Sequence, residues 1–349
     1  MEYKICKKCI LDSNIPGISF DMNGICNFCN KYVKEELPKK RNYYLLEEDF
    51  KKITKTNSNY NYDCICLYSG GKDSTYMLYN LVKKFKLRVL AFTLDHGFLS
   101  EEAFSNIRKV VGSLGVDSII YRPSQDLVND ILRAGIFSYS NLASSKELAF
   151  MMGHVCWPCF VLIAMSSIKF AVEKQIPNLI VGTTPGQIRQ KRFDLVSKYN
   201  DLVDVYKVMI MPMLKLLRMA GDVHSIQSID LPFVKKLKVL KVRLISFYEY
   251  NEYNEQKVIK TVESEFGWRK PQDTDSCSSN CLLNSLGIDI HRRKYGISPY
   301  VIPLARDIRE GLLNREEALK TINSGLNIEL VKDIAQKLKI DLGTISQIK

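Results

Sequence analysis

Apolar positions come in two rhythms along this chain. From about residue 62, short continuous apolar runs, "YDCICLYS", "RVLAFTLDHG" and "DSIIYRPS", alternate with the amphipathic stretches "DSTYMLYNLVKKFK" and "SEEAFSNIRKVVGSLG". Runs that are apolar throughout are what strands need when both faces of a sheet are covered, and the stretches between them carry apolar residues at helical spacing. The alternation predicts a parallel sheet with helices on both faces. It resumes with "FVLIAMSSIKFAVEKQ" as a helix and "IPNLIVGTT" as a strand. After about residue 205 the pattern weakens: "MIMPMLKLLRMAGDV" and "LPFVKKLKVLKVRLISFYEYNEYNE" read as helical or mixed, with Pro212 and Pro232 as breaks. The end of the chain reads as two or three short helices, Asn314 serving as an N-cap with Glu317 three residues on.

This divides the chain into residues 1–35, short of core-forming runs and rich in Cys, Asn, Asp and Gly; a charged connector over 36–60; an α/β core over 61–205; and a mostly helical region over 206–349. A length of 349 residues suits about two domains with a small appendage. The chain has no run of about 18 apolar residues and starts with the charged, Cys-bearing "MEYKICKKC". The expectation is a cytoplasmic protein with no membrane association. A net charge of +12 fits a polyanionic partner such as RNA, or a nucleotide, but equally a Lys-rich compositional bias, so charge leaves the substrate open.

The chemistry starts where the first strand ends. Ser69-Gly70-Gly71-Lys72-Asp73-Ser74 lies between a strand and a helix, so its glycines would bring backbone N–H groups and the positive end of the helix onto an anion. Lys72 adds a point charge, and Ser69 and Ser74 add hydroxyls. The common P-loop spacing, four residues between its first Gly and the Gly-Lys pair, is missing. SGGKDS instead resembles the signature of the PP-loop ATP pyrophosphatases, the adenine nucleotide alpha hydrolase-like group. That resemblance implies a Rossmann-like core in which the loop holds the pyrophosphate end of ATP. An acceptor oxygen attacks the α-phosphorus, pyrophosphate leaves, and a nucleophile then displaces AMP. Mg2+ would neutralise the triphosphate, with Asp73 as one candidate ligand. Two later strand ends fall where ligands gather in a parallel sheet: Asp95-His96-Gly97 and Gly182-Thr183-Thr184 with Gln187. The resemblance implies that Asp95 contacts adenosine and that Gly182 and Thr183 lie near the phosphates or the acceptor.

Ten cysteines in a cytosolic chain read as metal ligands or reactive thiols. Cys6-x2-Cys9 and Cys26-x2-Cys29, sixteen residues apart, have the spacing of a zinc ribbon, and zinc would supply the folding energy that residues 1–35 lack. Cys64 and Cys66 alternate along a strand and read as core. Cys156-Trp157-Pro158-Cys159 opens a helix and needs distant partners, which Cys277 and Cys281 in "DTDSCSSNCLLN" can supply. A CxxC at a helix start with one distant Cys resembles the 4Fe-4S pattern of the PP-loop tRNA 2-thiolation enzymes. The resemblance implies a cluster on Cys156, Cys159 and either Cys277 or Cys281, with catalysis involving these thiols together with Lys72 and Asp73. A second zinc bound by all four, and a persulfide-forming CxxC, remain open alternatives.

A second resemblance points to nitrogen chemistry. "CKKCILDSNIPGISFDMNGICNFC", "YDCICLYSGGKDS", "FGWRKP" and "IREGLLNREEALKTI" resemble the N-acetyl sugar amidotransferases of surface-polysaccharide pathways, which imply ammonia from a separate glutaminase. Cys156 and Cys159 depart from that pattern and suit sulfur transfer. The expectation is therefore ATP-dependent replacement of a carbonyl-type oxygen by sulfur, with the amidotransferase as the alternative and an RNA-binding module using ATP as a ligand third. The acceptor is open between tRNA, a sugar nucleotide and a small metabolite, the partner between a sulfur donor and a glutaminase subunit, and a homodimer is compatible. His154, two residues before Cys156, is open to a role as ligand or general base, but reads first as a solvated or hydrogen-bonded residue. The basic run 188–193, with Arg189, Lys191 and Arg192, is either an acceptor contact or a solvated loop.

Overall fold

The computed structural model describes residues 3–32, 61–137, 149–184 apart from 151, 242–250 and 253–345, together with short pieces at 47–51 (apart from 49) and 211–215 (apart from 213). Most of the expected connector, the basic run 188–193 with Gln187, and the boundary at residue 205 lie outside the described residues.

Five parallel strands form one sheet: β1 (Cys64–Leu67), β2 (Val89–Leu94), β3 (Asp117–Tyr121), β4 (Asn178–Val181) and β5 (Arg243–Ser246), in the order β3-β2-β1-β4-β5. The helices α1 (Lys72–Tyr79), α2 (Glu101–Leu114), α3 (Gln125–Phe137) and α4 (Cys156–Glu173) belong to the same α/β layer structure. Order reverses at β1, which has β2 on one side and β4 on the other, so the loop after β1 opens at the sheet's switch point.

The period of two along each strand sorts the core into two layers. Ile65, Leu90, Phe92 and Leu179 face Trp157, Val161, Leu162 and Ile168 of α4. Cys64, Cys66, Val89, Ala91, Ile180 and Ile245 face Met77 and Leu78 of α1 and Ile107 and Val110 of α2. The core reading of Cys64 and Cys66 holds: both are fully buried. Each Leu or Ile so buried contributes roughly 1.5–3 kcal/mol. Helix α4 has the length and apolar composition of a membrane span, yet half of it is buried inside this protein, in the packing against the sheet.

The C-terminal part is helical, as expected: α5 (Glu255–Phe266), α6 (Leu283–Tyr295), α7 (Val301–Glu310), α8 (Arg315–Ile322) and α9 (Ile328–Lys337). Asn314 caps α8, its side chain accepting from Glu317 N at 2.8 Å. One difference stands out. β5, from the stretch read as helical or mixed, joins the central sheet beside β4, so the sheet draws on residues on both sides of position 205. "RLIS" is too short and too interrupted by flanking Lys and Arg to announce itself; partnership with β4 makes it a strand.

Cys6, Cys9, Ile10, Leu11, Ile15, Cys26 and Cys29 form a third small core with Ile297 and with Val301, Ala305 and Ala318 of α7 and α8. The Cys-rich N-terminal segment is thus seated on C-terminal helices.

Candidate functional site

The turn after β1 is built around two glycines. Gly70 adopts φ +75°, and a Cβ there would lie 2.6 Å from Ala103 O, so a side chain is excluded by both backbone conformation and space. Gly71 is the N-cap of α1 with no side chain capping the first turn, which leaves the first-turn N–H groups available to an anion. Ser69 and Ser74 face each other at 3.1 Å between hydroxyl oxygens, and Ser74 and Thr75 hydroxyls donate to Gly71 O at 3.1 and 2.9 Å. Lys72 Nζ lies 2.8 Å from Asp73 Oδ2 and 3.2 Å from Glu255 Oε1. Burial opposes the Lys72 charge, but these two carboxylates outweigh it and hold its pKa above the ordinary lysine value.

Residues nearly two hundred positions away complete this turn. Trp268 Nε1 donates to Gly70 O at 2.9 Å. Tyr248 OH donates to Asp73 O and Tyr253 OH to Asp73 Oδ1, both at 2.8 Å. A Cβ on Gly71 would come within 2.9 Å of Ser279 Oγ and 3.4 Å of Asn280 Oδ1, so the "CSSNC" segment lies directly over the loop. None of these was singled out as a site residue in the sequence. Trp268 carried the one signal available, being one of only two tryptophans in the chain.

The neighbouring strand ends face the same edge of the sheet. At the end of β2, Asp95 Oδ1 accepts from Gly97 N at 2.8 Å and Oδ2 lies 3.4 Å from Arg122 Nη1. At the end of β4, Gly182 approaches Met77 and the Cα of Ser74, and Thr183 Oγ1 is 3.1 Å from Ser246 Oγ of β5.

Apart from Cys64 and Cys66 in the core, the cysteines fall into an N-terminal set of four and a second set drawn from α4 and the 277–281 segment. Sγ atoms of Cys6, Cys9, Cys26 and Cys29 all lie within 4.8 Å of one another, with Cys6 to Cys29 at 3.9 Å and Cys9 to Cys26 at 3.8 Å. Four thiolates around a zinc at about 2.3 Å would be about 3.8 Å apart, so the group fits a tetrahedral ion. Burial pushes the Cys6 thiol up, but the backbone N–H groups of Cys9, Cys26 and Lys8 bring it down to about 7; burial raises Cys9, and raises Cys29 to about 11. Arg315, at the start of α8, donates to Cys6 O and Cys9 O at 2.9–3.3 Å.

The second group is looser. Cys156 and Cys159 stand on the first turn of α4, and Cys281 comes from the segment that bridges Leu99 after β2. Burial raises all three thiols, Cys156 to about 11 and Cys281 to about 12, and each of Cys159 and Cys281 is raised further by the neighbouring cysteine charges. Three thiolates that repel one another in a desolvated position need a cationic centre to ionise together. Among the described residues the N-terminal four are the set whose ligand atoms all lie within 4.8 Å of one another, so Cys156, Cys159 and Cys281 are not gathered around a single ion as those are. Burial raises Cys277 to about 11 as well, and its backbone N donates to Asp275 Oδ1 at 2.8 Å, the carboxylate that also holds Asn284. Of the two distal cysteines, Cys281 is the one whose charge acts on Cys159 and on which Cys156 acts in turn. Around them, Cys156 Sγ donates to Asn284 Oδ1 at 3.8 Å, Tyr300 OH donates to the same oxygen at 2.8 Å, and Asn284 Nδ2 donates to Asp275 at 2.9 Å. His154 Nδ1 lies 3.4 Å from Gly135 O, and its ring stacks on Tyr295 at 5.6 Å, a packed position.

No family model matches the chain. An uncharacterized protein of Methanocaldococcus jannaschii is 24% identical over 336 residues, covering 96% of this chain and 97% of that protein. A solved structure of a U34-tRNA thiolase from Methanococcus maripaludis with its 4Fe-4S cluster aligns over 99% of this chain and 91% of its own, at TM-score 0.35 and 16% identity. An NH3-dependent NAD synthetase from Campylobacter jejuni aligns over 57% of this chain and 93% of its own, at TM-score 0.30 and 14% identity.

Proposed function

We propose that this protein uses ATP to adenylate a carbonyl-type oxygen of its acceptor and replaces that oxygen with sulfur. The observation that carries the reading is a shared segment: Ser279 and Asn280 cover Gly71 of the phosphate-type loop, and Cys281, the next residue, lies near enough to Cys156 and Cys159 for the charges of these thiols to act on one another.

In this reading the backbone of Gly70, Gly71 and the first turn of α1 takes the pyrophosphate end of ATP, Lys72 exchanges its carboxylate partners for phosphate oxygens, and Asp73 is left to a Mg2+ ion. The acceptor oxygen attacks the α-phosphorus and pyrophosphate leaves; a sulfur nucleophile then attacks the activated carbon, and that oxygen departs with AMP. Asp95 and Thr183, at the flanking strand ends, hold the adenosine and acceptor sides. An iron–sulfur cluster held by Cys156, Cys159 and Cys281 would supply a site for the incoming sulfide. Cys6, Cys9, Cys26 and Cys29 hold a structural zinc. The setting is the cytoplasm, where such thiols stay reduced.

The test is metal and sulfide analysis of anaerobically purified protein. Iron with acid-labile sulfide and a broad brown absorbance, alongside one zinc per chain, is the expected result. Two zincs without iron would overturn sulfur transfer through a cluster, and turnover that depends on ammonia would assign the incoming atom as nitrogen.

A further inference from the structure

His96 is buried at the end of β2, one residue after Asp95, and no step above uses it. Its ring has a defined orientation. Phe98 N donates to His96 Nδ1 at 3.2 Å, so Nδ1 acts as an acceptor and the neutral ring carries its proton on Nε2. That Nε2 lies 3.7 Å from Cys281 Sγ, within the reach of a hydrogen bond to sulfur. The backbone on either side of Cys281 is pinned to the segment that follows His96: Leu282 N donates to Phe98 O and Ser100 N donates to Asn280 O, both at 3.0 Å.

We infer that His96 is a positioning residue for Cys281: its Nε2–H donates to the cysteine sulfur, fixing the third thiol of the Cys156, Cys159 and Cys281 group to the end of the strand that carries Asp95. The inference rests on the sulfur-transfer reading and adds to it a donor that tunes the bound group. An N–H directed at a ligating thiolate draws electron density from it, which favours the reduced form of an iron–sulfur group, and it restrains the ligand against dissociation.

The experiment compares wild-type protein with His96→Leu, which keeps volume but has no donor, and His96→Gln, which restores an N–H. All are prepared anaerobically, with midpoint potential by spectroelectrochemistry and the rate of cluster loss to a chelator as readouts. The expected result is a negative shift in potential and about tenfold faster loss in His96→Leu, with His96→Gln returned toward wild type on both. Iron bound in all three at equal potential would overturn this inference alone. Potential lowered equally in His96→Leu and His96→Gln would also overturn it, since a packing change without hydrogen bonding would account for both. Wild-type protein without iron would overturn the cluster reading, and this inference with it.

Discussion

Lys72 is held between Asp73 and Glu255 at hydrogen-bond distance, so its charge is already neutralised before any anion arrives. In the proposed function an incoming triphosphate competes for it, which would make Lys72 a group whose interaction strengthens as negative charge builds on the phosphates. Lys72→Ala should lower ATP-dependent pyrophosphate release by about 10²- to 10³-fold while leaving the metal content of the protein unchanged, measured by coupled pyrophosphate assay and elemental analysis. Asp307, on α7, shows the opposite balance. Burial, and then the charge of Glu310, raise its carboxyl to about 6. A carboxyl whose pKa is higher folded than unfolded binds its proton more tightly in the folded state. Its contribution is therefore most favourable below about pH 4 and is lost as pH rises through 6. Asp307→Asn should raise the melting temperature at pH 8 by roughly 2–4 °C, with the gain vanishing at pH 4; an equal gain at both values would show that the carboxyl's charge is not the cause.

At the scale of elements, the loop between β1 and α1 is finished by segments that the chain reaches much later. Trp268 after α5 closes it from one side and the Cys277–Cys281 segment from the other. Trp268→Phe keeps most of the buried area but leaves the Gly70 carbonyl without its donor, at a cost of about 1–3 kcal/mol. The expected outcome is a lower melting temperature and ATP affinity weakened several-fold, read by calorimetry. This dependence on distant segments marks where sequence reading succeeds and where it stops. β1, β2 and β4 are legible because each is largely buried and mostly apolar, and the turn from Ser69 to Gly71 is legible because its two glycines interrupt the pattern between a strand and a helix. The pairing of Cys26 and Cys29 with Cys6 and Cys9 follows from spacing alone. Choosing Cys281 over Cys277 does not, because three intervening residues let either thiol face α4. What brings Cys281 beside the end of β2 is the pairing of Leu282 with Phe98, a contact between residues 184 positions apart in numbering and hence invisible to any local pattern. Glu255, Tyr253 and Tyr248 were beyond reach for the same reason, and β5 because an edge strand beside β4 needs its neighbour to be recognisable.

For the molecule as a whole, the Cys-rich N-terminal segment and the α7–α8 pair share one core, with Arg315 fastened to the carbonyls of Cys6 and Cys9. Removing metal from that segment should therefore be felt at the far end of the chain. Cys9→Ser, or chelation of the zinc proposed for the four cysteines, should increase amide hydrogen exchange over residues 297–322 as well as over 3–32; protection unchanged in 297–322 would mean the two parts are only neighbours. The same arrangement sets a timetable for synthesis. Cys6 and Cys9 leave the ribosome well before the arginine that grips their carbonyls, which follows 306–309 residues later, on the order of 15–60 s at usual elongation rates. Through that interval Ile10, Leu11 and Ile15 have no α7–α8 surface to cover them. Early capture of a metal ion by the nascent segment is what would keep those apolar side chains gathered until their partner emerges.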